Sequence, residues 1–117
     1  MRYILLIYDA ESQWASMSEQ QRGQMFQEYM TFTVGIKKSG HYVAGDPLQP
    51  TATSTTVRVR NGKTASTDGP FAETREQLGG YYIVNASNLD EATGIAARIP
   101  SARIGSIEIR PIMEVGG

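Results

Sequence analysis

The sequence predicts an α+β fold in the order β-α-β-β-β-α-β, close to a ferredoxin-like split β-α-β with an extra hairpin. Three observations carry that expectation. Two short runs, Tyr3 to Tyr8 and Tyr81 to Val84, are apolar at successive positions, as strands covered on both faces are. Two stretches, opening at Ser18 and at Asn88, repeat apolar residues at helical spacing behind a capping residue. Between them Asn61-Gly62 joins two strand-like segments, a strong signal for a type I′ hairpin.

Taken in order, Arg2 to Tyr8 is a strand with Tyr3, Leu5 and Ile7 on one face and Ile4, Leu6 and Tyr8 on the other. Asp9 to Met17 reads as a polar loop holding Trp14, the only tryptophan. Ser18 and Gln21 fit a capping box, and Glu19 suits the positive end of the helix they begin. Met25, Phe26, Tyr29, Met30, Thr33 and Ile36 form its apolar stripe, Lys37-Lys38 suit its negative end, and Gly40 is the natural residue beyond it. His41 to Leu48 is extended and turns at Gly45-Asp46-Pro47. Residues 54–60 and 63–67 are the hairpin strands, and Pro70 is placed to begin a single helical turn. Tyr81 to Asn85 is the next strand. Asn88 and Glu91 open a second helix carrying Leu89, Ala92, Ile95, Ala96 and Ile99, which stops before Pro100. In the last strand Ile107, Ile109, Pro111 and Met113 alternate with Ser106, Glu108, Arg110 and Ile112.

Two helices cover only one face of such a sheet, whereas the strands at 3–8 and 81–84 are apolar on both. A second copy of the chain is the simplest cover for the other face, so a homodimer is expected. Arg58 and Arg60 project opposite to Val57 and Val59, and Glu108 and Arg110 opposite to Ile107 and Ile109. Charges so placed at the mouth of the space between two such sheets would line a polar cleft between apolar walls, a small-molecule site.

Length bounds the chain to one domain over residues 1–117. No apolar run approaches the ~18 residues of a membrane span, and no charged-then-apolar leader opens the chain, so a cytoplasmic protein with no membrane partner is expected. The absence of cysteine removes disulfides, thiolate metal sites and a cysteine nucleophile. Eleven Lys and Arg against twelve Asp and Glu leave a net charge of −1 without a basic cluster, which argues against nucleic acid as a partner. One histidine among scattered acids makes no metal-ligand set, and no glycine-rich phosphate loop occurs, so neither metal nor cofactor is expected.

The densest chemistry lies between Thr67 and Tyr81. Gly69-Pro70 punctuates one end, Gly79-Gly80 the other, and Glu73, Arg75 and Glu76 lie between. Asp68-Gly69-Pro70-Phe71 resembles the signature of the YCII-related family, in the branch named for that tetrapeptide. Gly45-Asp46-Pro47-Leu48, the run at 55–60, Leu89-Asp90-Glu91-Ala92 and Glu108-Ile109-Arg110-Pro111 fall in the same family order. The resemblance implies a dimeric α+β barrel. Characterised members of the wider family include a dehydrochlorinase acting on a chlorinated hydroxyhydroquinone, with a His-Asp pair whose histidine lies in the first helix. This chain has no histidine between Ser18 and Gly40, so that pair does not carry over. Members of the branch often accompany extracytoplasmic-function sigma factors, which implies a regulatory alternative.

Five residues are candidates for a site. Asp68 reads as a turn former or as a carboxylate at a strand end acting as general base or anchor. His41, the only side chain titrating near neutrality unaided, reads as a charge at a helix C-terminus or as a catalytic partner. Asp46 matches the family's loop after the helix and reads as a turn residue or a substrate contact. Arg110 reads as one half of a cross-strand ion pair or as a bidentate anchor for an anionic substrate, and Arg58 as a second substrate contact. Two functions follow: a cofactor-independent enzyme working on a small molecule in an inter-subunit cleft, or a non-catalytic ligand-binding module tied to sigma-factor regulation.

Overall fold

The computed structural model describes residues 1–116. Its elements run β1 (Arg2–Asp9), α1 (Glu11–Ser16), α2 (Glu19–Lys38), β2 (Tyr42–Pro47), β3 (Thr55–Arg60), β4 (Lys63–Asp68), β5 (Gln77–Asn85), α3 (Leu89–Ala97) and β6 (Ser106–Pro111), with short 3-10 turns at Thr51–Thr53 and Pro100–Arg103. Four strands form one antiparallel sheet in the order β2-β5-β1-β6. β1 and β2 therefore run parallel to each other with β5 between them, and the chain crosses from one to the other through α2. That is the expected split β-α-β. β3 and β4 form a separate two-stranded ribbon inserted between β2 and β5.

The local rules that set these boundaries are visible in the atoms. Ser18 accepts from the Gln21 N–H while the Gln21 side chain accepts from the Ser18 N–H, completing the capping box. Asn88 caps α3 through the Glu91 N–H, and the Glu91 carboxylate accepts from the Ser87 N–H. In the ribbon, Asn61 and Gly62 take φ values of 53° and 74°, the left-handed pair that a type I′ turn requires.

The core lies between one face of the four-stranded sheet and helices α2 and α3. Tyr3, Leu5, Ile7, Tyr82 and Val84 from the strands meet Phe32, Ile36, Ala92, Ile95, Ala96 and Ile99. On the opposite face Ile4, Leu6, Tyr8, Tyr81 and Ile83 are only half-buried. Both helices thus cover a single face, as expected.

Four expectations are corrected. Residues 11–16 form a helix instead of a loop; Ala10 offers no side-chain cap, and α1 is held from outside, by Thr51 donating its N–H and hydroxyl to the Glu11 carboxylate at 2.8 and 2.7 Å. The apolar stripe of α2 is divided: Met25 and Ile36 enter the core, joined by Phe32, which the stripe left out, while Phe26 and Met30 stay exposed on the adjoining flank. No helical turn forms at Pro70; Gly69 before it adopts φ +102°, a conformation open to glycine. Finally, β5 begins at Gln77 and β2 continues through Pro47.

Candidate functional site

A cleft of about 1120 Å³ opens on the helix side of the sheet, between α1, the exposed flank of α2, and the ends of β2 and β5. Trp14, Phe26, Met30, Val34 and Leu48 give it largely apolar walls. Its rim is tied at Glu11: the backbone N–H donates to Gln77 Oε1 at 2.8 Å, and the carboxylate holds Thr51. α1 therefore fixes both the start of β5 and the segment leaving β2.

The inner end is polar, and strand alternation puts it there. Tyr3, Leu5 and Ile7 set the core-facing parity of β1, and Asp9 is the next residue of that parity. Asp9 as a whole is 6% exposed. Ser101, fully buried in the turn after α3, donates to Asp9 Oδ2 at 2.8 Å, and the Tyr29 hydroxyl donates to Ser101 Oγ at 2.5 Å. Asp9 Oδ1 accepts no hydrogen bond from the described residues. It is not sealed off either, because no buried side-chain oxygen or nitrogen among them lacks a partner. It points toward Gly79 on the cleft wall, 3.5 Å from where a Cβ there would stand. Burial pushes the Tyr29 phenol up to about 12, the Asp9 charge adding to the shift and the Ser101 hydroxyl opposing it. Beside this chain the Thr33 hydroxyl donates to the Tyr29 carbonyl at 2.9 Å and lies 2.6 Å from the Tyr82 hydroxyl. Burial raises Tyr82 as well.

Of the sequence candidates, Asp46 lines this cleft, its Oδ2 accepting from the Tyr81 hydroxyl at 2.7 Å; that bond holds the Tyr81 proton and raises its pKa. The others stand elsewhere. His41 lies between the end of α2 and the start of α3, with Nδ1 2.7 Å from Ser39 Oγ and Nε2 3.3 Å from Glu91 Oε1. Arg110 is exposed on the open sheet face, beside Ile4. Asp68 and Arg58 are exposed on the β3–β4 ribbon, paired with Thr55 and Ala65. One chain thus does not bring Asp68, His41 and Arg110 to a common pocket. Asp9, Ser101 and Tyr29 were not singled out by the sequence. The available signal was a carboxylate on the core-facing parity of an otherwise apolar strand.

Among the described residues no three His, Cys, Asp or Glu side chains are placed to hold a metal ion, and no helix is long and apolar enough to cross a membrane.

An α+β domain with an antiparallel sheet and a cleft between helix and strand ends is the class that this fold and site define. The chain belongs to the YCII-related domain family, which it matches over residues 1–116. It is 33% identical over 114 residues to an uncharacterised protein of Rhizobium meliloti (strain 1021), covering 96% of this chain and 92% of that protein. Among solved structures it is similar to 5-chloro-2-hydroxyhydroquinone dehydrochlorinase from Burkholderia phenoliruptrix AC1100, determined in complex with 2,5-dihydroxybenzoquinone. That likeness has a TM-score of 0.57 at 13% identity and covers 97% of this chain and 94% of the other. At that identity it shows a shared fold.

Proposed function

We propose that the protein is a cofactor-independent enzyme in which the cleft binds a small, largely apolar molecule and Asp9 moves a proton on it. The observation that carries this reading is a nine-tenths buried carboxylate at the inner end of an aromatic-walled cleft, one oxygen held by Ser101 and the other without a partner. A carboxylate so placed is a positioned proton acceptor. Asp9 Oδ1 takes a proton from an acidic carbon or hydroxyl of the substrate and returns it at the same or a neighbouring atom; no electrons are exchanged with a further reagent. Support for a small-molecule role also comes from the dehydrochlorinase, whose related fold houses a ring compound.

Asp46 is the second substrate contact in this reading. Asp68, Arg58 and Arg110 would act between subunits. They lie on the ribbon and on the half-buried sheet face, where a second copy of the chain would pack in a dimeric α+β barrel. His41 is placed to secure α2 to α3 through Glu91.

The test is proton exchange in heavy water. Small phenols and ketones that bind should incorporate deuterium in the presence of the protein, and Asp9→Asn should slow incorporation by about a hundredfold or more. Saturable binding without exchange of any bound compound would instead favour a non-catalytic ligand-binding module, regulatory in the manner of sigma-factor partners. The predominantly apolar lining supports that second reading.

A further inference from the structure

The protons at the inner end of the cleft can be counted, since each hydroxyl has one to give. Tyr29 gives its proton to Ser101, and Ser101 gives its own to Asp9. Thr33 gives its proton to the Tyr29 carbonyl, which makes Tyr82 the donor in the 2.6 Å contact between their hydroxyls. Every side-chain hydroxyl proton in this group is therefore committed inside the protein. What the group offers a ligand is lone pairs, chief among them those of Asp9 Oδ1.

Of the donors that remain on the lining, the Tyr42 hydroxyl stands toward the other end of β5 from Asp9, Tyr42 pairing with Val84 and Asp9 with Gln77, and the Gln49 amide lies on the segment leaving β2. Lys37 lies eight residues beyond Tyr29, about 12 Å along α2, with its ammonium 4.8 Å from the centre of the Tyr42 ring. Arg22 donates to the Met17 and Trp14 carbonyls, and the Trp14 indole belongs to α1 at the rim.

We infer that the cleft takes an apolar molecule whose head group donates a proton to Asp9, an amine, alcohol or phenol, and that it turns away carboxylates. The inference rests on the reading of the cleft as the ligand site and deepens it. At Asp9 an anionic head group would meet a second carboxyl group and the spent hydroxyls of Ser101 and Tyr29, with no free hydroxyl there to replace the water it lost. An ammonium or hydroxyl meets a free acceptor, and its hydrocarbon body meets Phe26, Met30 and Trp14.

The experiment is a titration series on one hydrocarbon body, followed by amide shifts and calorimetry: phenethylamine, phenethyl alcohol, the methyl ether of that alcohol, and phenylacetate. The amine and alcohol should shift the amides of Asp9, Gly80 and Ser101. The ether and phenylacetate should bind about tenfold or more weakly, because a site built to accept a proton rejects an analogue without one. Asp9→Asn, which supplies an amide donor in nearly the same shape, should erase the preference for the amine over phenylacetate. Phenylacetate or the ether binding the native protein as tightly as the alcohol would overturn the inference while leaving the cleft standing. If none of the four moves those amides, the cleft reading falls and the inference with it. Should Asp9→Asn fail to fold, the native series decides alone.

Discussion

Tyr29 shows how one buried hydroxyl ties stability to the site. Its phenol is pushed up to about 12 from a usual value of 10.0, so at high pH the unfolded chain ionises before the folded one does. The native state then holds more protons, and stability must fall as pH rises. The contribution is complete below about pH 10 and lost as pH climbs toward 12. Tyr29→Phe should therefore flatten the alkaline limb of a stability–pH curve, leaving the smaller part due to Tyr82. At neutral pH it should cost about 1 kcal/mol for the lost bond to Ser101. An alkaline limb identical in the variant would show that Tyr29 titrates as it does in water. Single residues were the least legible scale in the sequence. Asp9 looked like the first residue of a loop, because nothing local says that Ser101, 92 positions away, will meet it. Asp46 was legible because a neighbouring Gly and Pro mark it.

At the scale of elements, signals confined to one segment came through and signals needing a distant partner did not. The caps of α2 and α3 and the Asn61-Gly62 turn are local hydrogen-bonding and backbone problems, and all three formed as read. α1 has six residues and no capping side chain; its stability is borrowed from Thr51 and Gln77, which a window of sequence cannot show. The α2 stripe misled for a related reason. Periodicity reports which positions are apolar, not whether they meet a core or a cleft. Ser18→Ala and Asn88→Ala should each lower stability by about 1 kcal/mol, measured by denaturant unfolding, because each removes a side-chain cap. Midpoints unchanged in both would mean that solvent caps the helices as well as the side chains do. For the ribbon, Gly62→Val should abolish amide protection in β3 and β4 and leave β1 and β5 protected. A valine resists the left-handed turn, and the ribbon's strands pair with each other alone. Loss of protection across the main sheet would mean that the ribbon and core fold as one unit.

The whole molecule is flat and extended. Its Cα radius of gyration is 16.3 Å and its extents are 48 × 47 × 18 Å, against about 13–14 Å expected for a compact chain of this length. The ribbon accounts for the difference, with Val57 and Val59 more than half exposed and Phe71 at 80%. An exposed apolar arm beside a half-buried sheet face is what a second copy would cover, and obligate interfaces commonly bury about 2,000 Å² or more. Sedimentation at micromolar concentration should give about twice the chain mass of 12.8 kDa, and Leu6→Lys on the open face should halve it. A native protein sedimenting as a monomer would remove the barrel. The half-buried second face was legible in the two-faced apolar strands; the reach of the ribbon was not, since alternation along β3 is the same whether or not the strand joins a sheet.

The central claim, that ligand chemistry resides in the cleft between α1, α2 and the ends of β2 and β5, is tested most directly by mapping amide shifts on saturation with phenethyl alcohol. The account predicts saturable shifts gathered at Asp9, Trp14, Phe26, Asp46, Gly80 and Ser101, with His41, Asp68 and Arg110 unmoved. Shifts centred on Asp68 and Arg110 with the cleft unmoved would contradict it.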